Sequence, residues 1–246
     1  MNVRLICMDM DGTLFAEKES IPDKNIYALR RCAERGIHLA LVSGRGNKYL
    51  RRVVDRIGAS CAIASANGAR IDATENGPTI FEGKFAEDEG KRIFKVLYDM
   101  NVNFEVYTRE LNYVIRPEKI PERHRESLMR TGGMKDCVLL YDEESALKSA
   151  EIGAYKYVAF SDDPTEIERV RNTLDVNGIA HCSSGSANVE IMPTGVGKGN
   201  AVKVLNIICN IKSIAARSSP CTVCNAHKCR IQCGYFFGCD FNTFKR

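Results

Sequence analysis

Short, continuously apolar runs alternate along the first part of the chain with stretches whose apolar residues recur at helical spacing. Val3 to Met8 is such a run, and it stops at an acidic turn containing Gly12. Pro22 to Arg35 then carries the helical pattern through Ile26, Leu29 and Ala33, closed by Gly36. Ile37 to Val42 repeats the apolar run and ends in Ser43-Gly44-Arg45. A second helical pattern follows through Leu50, Val53, Val54 and Ile57, with Gly58 at its end. A third run, Cys61 to Ala66, ends in Asn67-Gly68. Strands without polar alternation are buried on both faces, so this rhythm predicts an α/β fold with a doubly wound parallel sheet. Chemistry in such sheets sits at the carboxyl ends of the strands.

From about Thr79 the rhythm changes. Glu87 to Met100 reads as a helix, Asn103 to Arg109 and Tyr113 to Arg116 as two adjacent strands, and Glu122 to Thr131 as a helix. A strand at Cys137 to Tyr141 and a helix after Asp142 come next. Tyr155 to Phe160 reads as a strand, before a helix opened by Asp163-Pro164 and closed by Gly178. This mixture predicts an α+β insert over residues 82–188, dividing a core made of 1–81 and 189–210. Val189 to Met192 leads into Pro193 to Gly199 and a helix from Asn200 to about Cys209, assigned back to the first unit. Arg109, Arg116 and Arg123 are the insert's candidates for facing a substrate.

Composition narrows the class. With 246 residues, 44% hydrophobic and 27% charged, the chain is too apolar for disorder and lacks the uncharged apolar run of a membrane span. The opening MNVRLICMDMDGTLF has acids inside its apolar stretch, which is unlike a signal peptide, so a cytoplasmic location is expected. The net charge of +4 is unevenly spread. From Ile191 onward there are eight Lys and Arg against Asp240 alone, leaving 27 basic and 30 acidic residues before it. The basic balance thus belongs to the tail, and a nucleic-acid partner is not inferred from overall charge. Five of the 11 cysteines (Cys7, Cys32, Cys61, Cys137, Cys182) lie in apolar segments, where a buried thiol acts as a small hydrophobe. The other six crowd into the last 38 residues.

The strongest chemical signal is Asp9-Met10-Asp11-Gly12-Thr13, directly after the first apolar run. Residues two apart on an extended chain point the same way, so both carboxylates can converge on one site, and Gly12 lets the backbone turn away sharply. One acid can then attack phosphorus while the other carries a proton for the leaving group. Taken alone, the pair also reads as two acidic residues in a strand-to-helix turn.

The segment closely resembles motif one of the haloacid dehalogenase superfamily, and further matches follow in order. Leu41-Val42-Ser43-Gly44-Arg45 resembles motif two, and Ser65-Ala66-Asn67-Gly68-Ala69 the N-G-A loop of the Cof-type subfamily. Gly195-Val196-Gly197-Lys198-Gly199 is similar to that subfamily's motif three, and the insert to its type-two cap. The resemblance spans roughly the first five-sixths of the chain. It implies a Rossmann-like core with an inserted α+β cap, and a Mg²⁺-dependent phosphatase acting on a small phosphorylated metabolite such as a sugar phosphate or a phosphorylated cofactor. Asp9 would be the nucleophile that becomes an aspartyl-phosphate, and Asp11 the acid and then the base. Mg²⁺ would sit on the Asp9 carboxylate, the Asp11 backbone carbonyl and a phosphate oxygen. Ser43 and the Gly44 N–H would hold the phosphoryl group, with Lys198 as the fixed cation. A cation at a helix start opposes the macrodipole, which argues that Lys198 is there for function. Arg45 and Asn67 are candidates for phosphate contact; Arg45 reads equally as a partner of surface acids, and Asn67 as the turn residue of Asn-Gly. A phosphomutase using the same intermediate is the enzymatic alternative.

The chain departs from the family after Lys198. The acidic motif four, which supplies a further metal carboxylate, has no counterpart there: the one acid is Asp240, with no apolar strand before it. Losing the strand that precedes this motif would leave the first strand's edge unpaired. Two readings of residues 211–246 compete. One is a shifted reading frame or wrong exon near Leu205 to Lys212. The other is an appended zinc module built on Cys221, Cys224, Cys229, Cys233 and His227, at spacings unlike the standard zinc arrangements. A phosphate-binding protein or catalytically impaired remnant, and a zinc-dependent nucleic-acid binder, are the alternatives from other classes.

Overall fold

A computed structural model describes residues 3–16, 20–151 and 153–209. The chain runs through strand β1 (Leu5–Met8), helix α1 (Asp23–Glu34), β2 (His38–Val42), α2 (Asn47–Ile57) and β3 (Ala62–Ser65), then β4 (Arg70–Asp72) and β5 (Thr79–Glu82). The next stretch comprises α3 (Glu87–Asp99), β6 (Asn103–Tyr107), β7 (Asn112–Ile115), α4 (Glu122–Arg130), β8 (Cys137–Leu140), α5 (Glu143–Ala150), β9 (Lys156–Phe160), α6 (Pro164–Val176) and β10 (Asn188–Ile191). Helix α7 (Lys198–Ile208) closes the described part.

The first sheet has the order β1-β2-β3-β4-β5, with β1, β2 and β3 parallel and β4 and β5 added antiparallel. Strands β1, β2 and β3 are apolar on both faces because both are covered. Ile6, Met8, Leu39, Leu41 and Ile63 pack with Leu29 of α1 and with Leu50, Val53, Val54 and Ile57 of α2. The alternate positions Cys7, Ala40, Val42 and Ala64 pack against Ala201, Val202 and Leu205 of α7. Small side chains on that face admit the helix closely. Helices on opposite faces of parallel strands make the doubly wound α/β arrangement that the sequence predicts. Strand β4 escapes the sequence rhythm because Arg70-Ile71-Asp72 has a single apolar residue. Arg70 and Asp72 are nevertheless buried, paired at 3.0 Å, with Asn47 donating to Asp72 at 2.6 Å.

The second sheet has the order β10-β9-β6-β7-β8, antiparallel except for β7 with β8. One face carries Phe104, Val106, Tyr157, Ala159, Val189 and Ile191 against α3, α5 and α6. By the two-residue period of a strand, Glu105, Tyr107, Lys156, Val158, Phe160, Asn188 and Glu190 share the other face. Strand β10 corrects one expectation. The sequence reading assigned 189 onward to the first unit, but Asn188–Ile191 pairs with β9, since Val189 and Ile191 fill the second core and the chain crosses back only afterwards. No helix among the described residues is long and apolar enough to cross a membrane. The tail 211–246, with Asp240 and the proposed zinc cysteines, lies outside the described residues.

Candidate active site

The carboxyl ends of β1, β2 and β3 and the polar face of the second sheet enclose a cavity of about 470 Å³. Asp9, Asp11, Ser43, Gly44, Arg45, Asn67 and Lys198 all line it. Asp9 follows β1 in extended conformation. The chain then turns at Gly12 (φ +70°), closed by hydrogen bonds from the Leu14 and Phe15 N–H groups to the carbonyls of Asp9 and Met10. Gly12 is there for its backbone, since an added Cβ would meet nothing within 4 Å. Met10 is wholly buried and anchors the loop from below.

The two carboxylates take different partners. Asp9, only 15% exposed, receives a hydrogen bond from the Lys198 ammonium at 2.9 Å. Asp11, 66% exposed, pairs with the Arg45 guanidinium at 2.9 Å. Arg45 itself lies over the Tyr49 ring at 4.6 Å. The structure thus brings both acids to one cavity but gives each its own cation, rather than aiming both at a shared point. Lys198 begins α7, two residues ahead of the sequence-based start at Asn200, and reaches back to the end of β1 from the opposite face of the sheet.

Ser43 and Gly44 follow β2. Ser43 is buried, its N–H donates to the Ala64 carbonyl at 2.9 Å, and its carbonyl accepts from the Asn67 N–H at 2.8 Å. The Arg45 N–H donates to the Ser43 hydroxyl oxygen at 3.3 Å. Asn67 adopts left-handed backbone geometry (φ +59°), which Asn tolerates. Its amide is not idle, because Nδ2 donates to Glu190 at 2.7 Å and lies 3.0 Å from the Met192 sulfur.

The sequence reading missed the groups that the second sheet contributes. Lys156 and Glu190 are buried, 3.2 Å apart, and both line the cavity. Burial pushes the Glu190 carboxyl up, but Lys156, together with hydrogen bonds from Ser184 and Asn67, outweighs it and holds the carboxyl below its ordinary value. Burial also pushes the Tyr107 phenol well up, with Glu105 and Glu190 adding to the effect. His124 of α4 stacks on Phe160 at 3.8 Å and meets the buried Glu105 at 2.6 Å. Of the three candidate insert arginines, Arg109 lines the cavity and also lies 3.5 Å from Glu82, which does not line it. Arg116 instead packs over Tyr98 and donates to its carbonyl, and Arg123 is not among the lining residues.

A doubly wound sheet presenting a carboxylate, a lysine and a serine at its carboxyl edge, beneath a second sheet, defines a Rossmann-like α/β protein with a covered polar site. The haloacid dehalogenase-like hydrolase family model matches residues 6–215, and the chain belongs to that family, as a phosphatase of its Cof type. It is 26% identical over 235 residues to the 5-amino-6-(5-phospho-D-ribitylamino)uracil phosphatase YwtE of Bacillus subtilis, covering 86% of this chain and 79% of that one. It is 23% identical over 204 residues to the HMP-PP phosphatase of Cronobacter sakazakii, covering 82% and 72%. Among solved structures, a haloacid dehalogenase-like hydrolase from Bacteroides thetaiotaomicron superposes with a TM-score of 0.72 at 20% identity, over 85% of this chain and 78% of that one. The subclass IIB sugar phosphatase BT4131 superposes with a TM-score of 0.66 at 18% identity, over 85% and 77%. At those identities the structural likeness speaks for the fold.

Proposed function

We propose that the chain is a Mg²⁺-dependent phosphomonoester hydrolase that acts on a small phosphorylated metabolite through an aspartyl-phosphate on Asp9. The observation that carries this reading is the Asp9–Lys198 contact at 2.9 Å, in a cavity that Ser43 and Gly44 also line. A carboxylate oriented by a fixed cation at a phosphate-sized site is placed to act as a nucleophile. The Asp9 oxygen attacks phosphorus as the bond to the leaving oxygen breaks, and Asp11 donates the proton that the leaving alkoxide needs. Asp11, exposed enough to reach water, then takes a proton from the water that attacks the same phosphorus, releasing inorganic phosphate and free Asp9. The Ser43 hydroxyl and the Gly44 N–H are short donors suited to the phosphoryl oxygens. The Arg45 guanidinium and the Asn67 amide stand at the edge of this group, each engaged by a carboxylate.

The donor set suits a hard cation. Asp9 uses one oxygen for Lys198 and lines the cavity with the other uncommitted among the described residues. Lys198, Arg45 and Lys156 each already face a carboxylate, so part of the charge they offer a phosphate dianion is offset. Mg²⁺, held by Asp9, the Asp11 backbone carbonyl and a phosphate oxygen, would supply the missing positive charge and polarise the phosphoryl oxygens. A cavity of about 470 Å³ lies within the range for small-molecule ligands and suits a phosphorylated sugar or cofactor fragment. The relatives' named substrates, a phosphoribitylamino pyrimidine among them, are of that class.

The test is hydrolysis of p-nitrophenyl phosphate and a panel of sugar and cofactor phosphates, with and without Mg²⁺, by the chain and by Asp9→Asn. Turnover that requires Mg²⁺ and falls on the order of 10⁴-fold in the variant is expected. Turnover retained by Asp9→Asn removes Asp9 as nucleophile. Oxyanion binding with no turnover in either protein makes the chain a phosphate-binding member of the family.

A further inference from the structure

One of two paired, buried charges on the second sheet reaches into the loop after β2, and the other reaches the residue that holds that loop from β3, although neither belongs to the loop or to its motif. Lys156 on β9 and Glu190 on β10 lie on the same face of antiparallel strands, in a diagonal register where long side chains meet. The Lys156 ammonium is 3.2 Å from Glu190, lies 4.5 Å from the centre of the Tyr107 ring and donates to the Gly44 carbonyl at 2.9 Å. Side-chain exposure is 4% for Lys156 and 7% for Glu190, so these contacts are made away from water, where they are strong and their loss is costly. Glu190 also accepts from Asn67, whose own N–H holds the Ser43 carbonyl.

Both carbonyls that flank the Gly44 α-carbon are therefore pinned, that of Ser43 by Asn67 and that of Gly44 by Lys156. In a planar trans peptide the N–H points opposite to its carbonyl. Fixing the two carbonyls fixes the directions of the Gly44 and Arg45 N–H groups, the latter onto the Ser43 hydroxyl oxygen at 3.3 Å. A hydroxyl that accepts from Arg45 keeps its own proton to donate elsewhere. The fit is close enough that a side chain at position 44 would displace the groups that pin the loop. An added Cβ would stand 2.8 Å from the Asn67 side-chain oxygen and 3.3 Å from the Lys156 ammonium.

We propose that Lys156 is a positioning residue of the second sheet, which holds the Gly44 carbonyl so that the Arg45 N–H keeps the Ser43 hydroxyl oriented and the Ser43 hydroxyl and Gly44 N–H stay aimed at the phosphoryl group, with Glu190 as its buried counter-charge. This rests on the reading of residues 43–44 as the phosphoryl-holding loop. It makes the first sheet's anion site dependent on a side chain contributed by the second.

The test compares the full chain with Glu190→Gln and with the double variant Lys156→Met/Glu190→Gln, which removes both charges together and leaves neither unpaired. Three quantities are measured on each: thermal unfolding, amide hydrogen exchange at Gly44 and Arg45 by NMR without ligand, and affinity for tungstate as a phosphate-like probe. The double variant is expected to unfold close to the parent temperature, to exchange these two amides more than about tenfold faster, and to bind tungstate about tenfold more weakly. Glu190→Gln, which keeps the lysine's bond to Gly44, is expected to speed exchange less than about threefold. Parent-like exchange in the double variant overturns the proposal, because Lys156 then only neutralises Glu190. Equal acceleration in both variants overturns it too. If the double variant does not fold, Lys156→Gln/Glu190→Gln takes its place, with an N–H donor of shorter reach, and the same two readings decide. A parent that binds no tungstate but whose amides exchange faster in the double variant refutes the phosphoryl-holding role of the loop and leaves the positioning role standing.

Discussion

Glu190 keeps its charge where burial alone would remove it, and that has a consequence in acid. A carboxyl held below its ordinary value of 4.5 in the folded chain stabilises the fold above the unfolded-state value, and the contribution is lost as pH falls through the folded-state value. Glu190→Gln forgoes this contribution at every pH. Urea unfolding from pH 7 to pH 3 is therefore expected to show the variant less stable at neutrality and the two curves converging below about pH 4.5. Parallel curves would mean that Glu190 titrates as an ordinary carboxylate. The same residue marks the limit of what could be read from the sequence. Asp9, Asp11, Ser43 and Lys198 were legible because each sits in a short motif at a strand end or helix start. Lys156 sits in Tyr155 to Phe160, an apolar run with one charge, and Glu190 in Asn188 to Ile191; the two-residue period tells which side chains share a face but not what that face meets. Asn67 was half legible, as a turn residue, while its bond to Glu190 links positions 123 apart in the chain.

Helix α2 connects packing to the site at the scale of an element. It starts immediately after the Ser43-Gly44-Arg45 loop, and its buried stripe of Leu50, Val53, Val54 and Ile57 fixes that start against β1 and β2. Leu50 has no exposed surface, so Leu50→Ala leaves a cavity as well as losing apolar burial. A loss of about 2–5 kcal/mol is expected, seen as a lower urea midpoint at unchanged slope. A smaller loss would show that the helix can settle into the gap. Elements of this kind were readable because the stripe is continuous and a glycine closes it. Strand β4 was not, since its burial depends on the Arg70–Asp72 pair and on Asn47 from α2, and a polar triplet does not announce that it will be buried.

Over the whole molecule, two chain crossings join the sheets, one between β5 and α3 and one between β10 and α7, and side chains do the rest of the joining. Beyond Lys156, Arg52 of α2 forms a two-point contact with Asp136, in the turn before β8, at 3.0 and 2.6 Å. With Arg52 42% exposed, the pair is screened and is worth less than about 1 kcal/mol to global stability. Its effect belongs to arrangement: Asp136→Asn is expected to unfold within about 1 kcal/mol of the parent while raising the radius of gyration measured by X-ray scattering. An unchanged radius would show that the pair does not hold the sheets together. The alternation of runs and helices made the first sheet readable, and the motif order made the family readable. How the insert's sheet lies over the motifs was not, because it is set by contacts such as Arg52 with Asp136 that lie 84 residues apart. One further property follows from the strand that carries Asp9. Cys7 is buried within it, and burial, with Cys209 adding to it, pushes the thiol up to about 12. Since only a thiolate alkylates readily, this sulfur is silent in the closed fold. Its slow modification in solution would time the rare moments when the strand bearing the nucleophile comes loose, a clock already installed two residues from the reacting atom.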